Sequence, residues 1–363
     1  MVDFKSILSK LRIVGRALVL LLVIVSIISY FVSLAIGPVL FFSTTDGLHV
    51  ASRQIPEIPI DIFMAITIPI PFPVNIGILF ASVWIIFVIC MIFAWRSRNG
   101  FLSSIRNSLK QSLSFAKTNF LYIMPLVATS LLYSTVLIQQ FQTTEGVQTG
   151  NLNFPPQTSP YVILINLAFA PVREEFAFRM TSIGIPLGIL LVLLYRYDDR
   201  VSGFKNRVRL VLLALLSPEC AKAEVGYKNV ASNGFFGGIS ALEWVLIFLT
   251  SILFGAAHYL LGGGWEIGKV TTAFLAGFVL ALMFVIYGAY ASILLHWFFN
   301  YYFTILGMAN ATYGGLFGPL SNIVEITNLA GGQVVVLVFL IIWAVKFADY
   351  LAVRASGFST KSE

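Results

Sequence analysis

The feature that most constrains this chain is the recurrence of apolar runs long enough to cross a lipid bilayer. A spanning helix needs about 20 mainly apolar residues. Such runs occur at 16–37, 75–95, 118–139, 161–180, 241–261, 268–288, 289–306 and 332–352. In hydrocarbon each backbone N–H and C=O must find its partner within the protein, so these runs are read as helices. The expectation is an all-α, polytopic membrane protein with about eight transmembrane helices. Composition agrees, because 58% of the 363 residues are apolar or aromatic and only 11% are charged. Soluble domains carry about 25% charged residues, so a soluble globular enzyme is excluded. Disorder is excluded as well, since it requires low hydrophobicity and high charge. No repeat stands out, and residues 1–363 are read as a single helical membrane domain.

The segments between the runs set the expected orientation. Basic residues cluster in alternate loops: Arg96, Arg98, Arg106, Lys110 and Lys117 in one, and Arg196, Arg200, Lys205, Arg207, Arg209, Lys222 and Lys228 in another. Residues 140–160 carry none. The positive-inside bias then places both termini in the cytosol. It also accounts for the net charge of +7, so binding to nucleic acid is not expected. Lys5, Lys10, Arg12 and Arg16 precede an apolar run too long for a signal-peptide core, which reads as a retained first helix. Prolines 56, 59, 69, 71 and 73 oppose a regular helix in 38–74, which is expected to be interfacial or re-entrant. The short run 183–196, with Pro186, reads as a half-helix or interfacial piece, and 204–217 as a basic amphipathic helix on the inner surface. Cys90 and Cys220 fall in different environments, so no disulfide is expected.

Charges inside apolar spans are the sharpest chemical signal, since each costs about 2.5–3.5 kcal/mol at a helix centre on insertion scales. Glu174 and Glu175 are the only acids well inside a run, and Arg179 follows them. Adjacent helical positions point about 100° apart, so the two glutamates face different surroundings. Glu175 and Arg179 stand at i and i+4, in the favourable order for an ion pair. Glu174 is left without a partner on its own helix, as befits a general base. Of the three histidines, His49 reads as ordinary surface. His258 closes the run FGAAH, one turn after Phe254, and His296 opens HWFFN, one turn before Asn300. Lone intramembrane His or Asn residues are more often helix–helix glue, and Phe254 alone reads as packing. Converging, however, Glu174, His258, His296 and Asn300 could hold a water and stabilise an oxyanion. Glu174, His258 and His296 could equally ligate a divalent metal such as zinc.

EEFAFR, FGAAH and HWFFN fit EExxxR, FxxxH and HxxxN, in that order on successive apolar segments. Together they resemble the CPBP family of intramembrane proteases, which includes type II CAAX prenyl endopeptidases and bacteriocin-processing or immunity proteins. The resemblance covers about residues 160–306. It implies proteolysis in the membrane, with Glu174 and His258 activating water. His296 and Asn300 would stabilise the tetrahedral oxyanion, and Glu175 and Arg179, with Phe254, would support the site. The implied partners are the lipid bilayer and a protein or peptide substrate, prenylated or leader-like. The family is filed under metalloproteases, and a metal-free glutamate mechanism is the alternative. Two other functions fit a polytopic chain with buried polar residues: a transporter, and a scaffold or immunity protein that cleaves nothing. HExxH, GxGD and GxSxG are absent from the sequence.

Overall fold

The computed structural model describes residues 4–359, apart from 65, 109, 111–114 and 316. The chain begins with α1 (Phe4–Ser43) and α2 (Thr45–Ser52), then four short strands: β1 (Gln54–Ile55), β2 (Ile58–Ile62), β3 (Ile66–Ile70) and β4 (Val74–Asn75). Helices α3 (Ile76–Arg96), α4 (Phe101–Ser108), α5 (Phe120–Thr144) and α6 (Pro160–Glu175) follow. A π-helix, Phe176–Gly184, joins α6 to α7 (Ile185–Leu194) without a break. Next come α8 (Phe204–Leu216), α9 (Pro218–Val225), α10 (Val230–Gly238), α11 (Ala241–Leu260) and α12 (Gly268–Tyr287). A second π-helix, Phe298–Tyr302, lies between α13 (Ala289–Trp297) and α14 (Phe303–Tyr313), and α15 (Phe317–Ser359) ends the described chain.

Among the described residues, seven helices are long and apolar enough to cross a membrane. The eighth expected span, 289–306, is present as the continuous run α13–π–α14. His296, Asn300 and a cluster of tyrosines lower its hydropathy, yet most of it is buried. The protein is therefore a multi-pass, all-α membrane protein. The last expected span, 332–352, lies within α15, whose stretch Phe317–Ile341 is long and apolar enough to cross.

Three sequence expectations are corrected. Residues 183–196 are no half-helix: Pro186 falls in the first turn where α-helix resumes after the π segment, a position that lacks an N–H requirement. The result is one 35-residue run, Pro160–Leu194. Residues 38–43 continue α1 through Pro38, and the stretch beyond α2 folds as a β-hairpin. Helix α8 does not lie alone on a surface, because Gly184 and Gly188 let its Ala214 and Val211 pack directly against the π segment and α7.

The hairpin pairs β2 with β3 and β1 with β4, all antiparallel. Pro59 stands opposite Pro69. Neither has an N–H, so this is a pair whose N–H groups would point outward, away from the partner strand. Open sheet edges are intolerable in hydrocarbon, and prolines at outward positions remove the donors that would be orphaned. The tip reaches the middle of the Pro160–Leu194 run, where Met64 N–H donates to Ala177 O at 3.3 Å and Phe63 N–H to Thr181 Oγ1 at 2.9 Å. Asp61 accepts a bidentate pair from Arg173, at 2.5 and 3.0 Å.

At the opposite end of the bundle, a buried ionic cluster seats the start of α11. Lys222 is fully buried and donates to Glu243 Oε1 and Gly238 O, both at 2.8 Å. The other Glu243 oxygen closes a capping box with Ser240. Glu219, 3.7 Å from Lys222, accepts from Val230 and Ala231 N–H and so caps α10. Breaking a buried pair by removing one partner costs about 3–5 kcal/mol. Lys222→Met should therefore lower the melting temperature sharply, and adding Glu243→Gln should recover part of the loss, since glutamine keeps the cap without the orphaned charge. A double variant as unstable as the single one would refute that explanation. Tryptophan-fluorescence melting in detergent reads both.

Candidate active site

The two glutamates end α6 at the point where the helix widens, and their surroundings differ sharply. Glu175 has a fully buried side chain, whereas that of Glu174 is 30% exposed. Glu175 Oε1 accepts from Arg179 Nη1 at 2.9 Å and from His296 Nδ1 at 2.8 Å. Arg179, also fully buried, donates through Nη2 to Gly277 O at 3.1 Å. Its guanidinium lies 4.4 Å from the centre of the Phe254 ring and 5.7 Å from that of Phe178. Cation–π contacts of this kind gain strength when desolvated. Glu174 faces the other way, with Oε2 3.8 Å from His296 Nε2 and without a hydrogen-bond partner.

His296 therefore stands between the two carboxylates. With Nδ1–H given to Glu175, its Nε2 faces Glu174 and lies 3.4 Å from Asn300 Nδ2. A second proton on Nε2 would make that nitrogen a donor as well. His258 has the complementary arrangement. Its Nδ1 is 2.8 Å from Phe254 O, and a carbonyl can only accept, so Nδ1 holds the proton and Nε2 of the neutral ring keeps a lone pair. Phe254 separates the two histidines, at ring distances of 4.7 Å to His258 and 6.0 Å to His296. Lys269, in the first turn of α12, and His258 are both within electrostatic reach of Glu174.

Thus Glu174, Glu175, Arg179, Phe254, His258, His296 and Asn300 come together from three separate runs. The loop before α6 pairs with the loop after α11 through Gly150 and Trp265, and Glu174 lies in the half of its 35-residue run nearer those loops. Among the described residues no three His, Cys, Asp or Glu side chains are grouped so as to hold a metal ion. Glu174, His258 and His296 are neighbours without forming a coordination set.

Several site residues carry no sequence signal of their own. Gly277 is one: a Cβ there would sit 3.0 Å from Phe254 Cδ1 and 3.2 Å from Arg179 Nη2, so any side chain would press on the ring and the guanidinium between α12 and α11. Its one clue is a small residue within a spanning helix. Met64, at the hairpin tip, packs beside Ala177, Phe178, Phe254 and Ala273. A cavity of about 830 Å³ lies on the other flank of α6, between the hairpin, α3 and α13. It is lined mainly by apolar residues, among them Val172, Phe176 and Ile293, and runs from Arg173 towards Arg98 and Glu219 at the basic end of the bundle.

Residues 156–302 match the family model described as type II CAAX prenyl endopeptidase Rce1-like. This stretch is similar to that family, and it contains all three motifs and each side chain of the cluster. No curated protein and no solved structure matches the chain.

The contrast between the glutamates predicts separable phenotypes. Glu175→Gln weakens a buried ion pair and Arg179→Ala deletes its cation, and losing one partner of such a pair costs about 3–5 kcal/mol. Both variants should melt well below wild type. Glu174→Gln, at a half-exposed position with no ion-pair contact closer than 3.8 Å, should melt near wild type. The reverse order of melting temperatures would overturn this assignment.

Proposed function

We propose that the chain is an intramembrane endopeptidase that hydrolyses a peptide bond near the prenylated C-terminus of a CaaX-type substrate. The observation that carries this reading is the convergence, within the Rce1-like region, of a partnerless carboxylate, an imidazole and an amide: Glu174 Oε2, His296 Nε2 and Asn300 Nδ2.

In the proposed reaction, Glu174 and the free Nε2 of His258 orient a water, and Glu174 takes its proton as the hydroxyl attacks the scissile carbonyl. The C=O π bond opens to a tetrahedral oxyanion. His296 Nε2–H and Asn300 Nδ2–H donate to that oxygen, and Glu175 supports the imidazolium. Collapse of the intermediate breaks the C–N bond, and Glu174 returns its proton to the leaving amine. Every step uses groups of this chain, and the residues as arranged do not favour a metal centre. The apolar cavity on the other flank of α6 has a lining that suits an isoprenoid chain.

The test is purified protein in detergent with a farnesylated CaaX peptide, with and without a chelator, read by mass spectrometry. Cleavage that survives the chelator and vanishes in Glu174→Gln is expected. Loss of activity on chelation would replace the glutamate mechanism by a metal-dependent one. Full activity of Glu174→Gln would overturn the assignment of the base, and cleavage of neither this peptide nor a leader-like one would favour a scaffold or transporter. Asn300→Ala should lower kcat by about 10²–10³, the usual cost of one oxyanion donor, with KM little changed. An unchanged kcat with raised KM would make Asn300 a binding residue only.

We also infer that both termini and residues 196–240 face the cytosol, on the distribution of basic residues. Lys205 is exposed and Lys222 is buried, so Lys205→Cys in a Cys220→Ser background is the reporter. It should resist an impermeant thiol reagent in intact cells, and ready labelling from outside would reverse the orientation.

A further inference from the structure

The reacting groups have unlike surroundings on their two sides. On the far flank of α6, past Val172 and Phe176, lies the apolar cavity. On the side of His258 stands Lys269, a cation whose position has no structural explanation. It is half-buried, and among the described residues no carboxylate comes within ion-pair distance of its ammonium. Its amine instead lies 3.9 Å from the centre of the Trp265 ring, a contact that orients a cation without neutralising it. Glu174 and His258 are within its electrostatic reach, too far to pair with it. A half-buried, unpaired ammonium beside a reactive carboxylate is costly, and such groups in spanning segments mark substrate paths.

Resting on the CaaX-endopeptidase reading above, we infer that Lys269, held on the face of Trp265, binds the terminal carboxylate of the substrate and so fixes which peptide bond meets Glu174. The polarity of the substrate matches the polarity of the site. The prenylated cysteine precedes the scissile bond and would lie towards the apolar cavity. The three residues after it end in a free carboxylate and would run the other way, past His258. Three extended residues reach at most about 10–11 Å. Lys269 would therefore act as a ruler that accepts a tail of set length and rejects an internal loop.

The experiment compares two farnesylated CaaX peptides, one with a free C-terminal carboxylate and one amidated, on wild type, Lys269→Gln and Lys269→Arg. Wild type should prefer the acid by about 10–100-fold in kcat/KM, mostly through KM, the range expected of one charge-assisted contact. Lys269→Gln should cleave the two peptides at similar rates, and Lys269→Arg should keep most of the preference. If wild type cleaves acid and amide equally, the inference is wrong. If Lys269→Gln lowers both rates and leaves their ratio intact, the lysine serves the fold or Glu174 and not the substrate, which also overturns it. Cleavage of neither peptide by folded wild type would bring down the protease reading itself, and this inference with it.

Discussion

The structure is organised around one buried ionic contact, that of Glu175 with Arg179. Two charged side chains with no exposure at all persist in a bilayer through the contacts that answer them, here through Glu175 Oε1 and the two Nη atoms of Arg179, while Glu175 Oε2 and Arg179 Nε are left without a hydrogen bond. Arg179 is answered by Glu175, by the carbonyl of Gly277 and by the faces of Phe178 and Phe254. Glu175 is answered by Arg179 and His296. These contacts join the Pro160–Leu194 run to α11, α12 and α13, so the pair fixes the mutual positions of the helices that bear His258, His296 and Asn300. Without a hydrophobic driving force between helices in lipid, close packing and polar contacts must supply such specificity. A site built this way cannot be loosened at Glu175 without loosening the bundle.

The π-helix after Glu175 separates the roles of two adjacent carboxylates. Ala177 O accepts from both Thr181 Oγ1 at 2.9 Å and Ser182 Oγ at 2.7 Å, and also from Met64 N–H of the hairpin tip. A carbonyl released from the regular i+4 ladder becomes available to a side chain and to a foreign strand, which is how the hairpin gains a foothold at mid-membrane. The second π-helix falls on Asn300, the residue that faces His296. π-helical segments are rare and concentrate at functional positions, and here one begins directly after Glu175 and the other two residues after His296.

Much of this was legible in the sequence because bilayer physics is strict. Twenty apolar residues in a row admit few folds, and a glutamate at the centre of such a run demands a reason. The i, i+4 spacing of Glu175 and Arg179 made their pairing readable, and helical geometry alone turned Glu174 elsewhere. What escaped were features set by tertiary contact. No propensity encodes a switch from i+4 to i+5 bonding, so Pro186 looked like a break when it sits harmlessly at a helix start. The proline-rich stretch 56–73 was seen to exclude helix, but not to suit a hairpin whose exposed edge must lack donors. Lys269 and Lys222 looked like ordinary charges near helix ends. Only the fold shows the first alone against Trp265 and the second buried against Glu243.

The hairpin also bears on how a hydrolase can work inside a membrane, where water must be admitted and lipid kept out. Its tip residues Phe63 and Met64 have positive φ, a conformation that bulky side chains adopt only when their surroundings impose it. Hydrogen bonds from both N–H groups to the π-helix supply that constraint, and Met64 closes the apolar cluster of Phe178 and Phe254. The Asp61–Arg173 pair pins the strand one residue from Glu174. On this flank Glu174 is thus bounded by a polar clasp, with the exposed isoleucines Ile66, Ile68 and Ile70 beyond it. The hairpin therefore does for this site what a covering helix does elsewhere, and its prolines are what allow a sheet edge to face hydrocarbon while doing so.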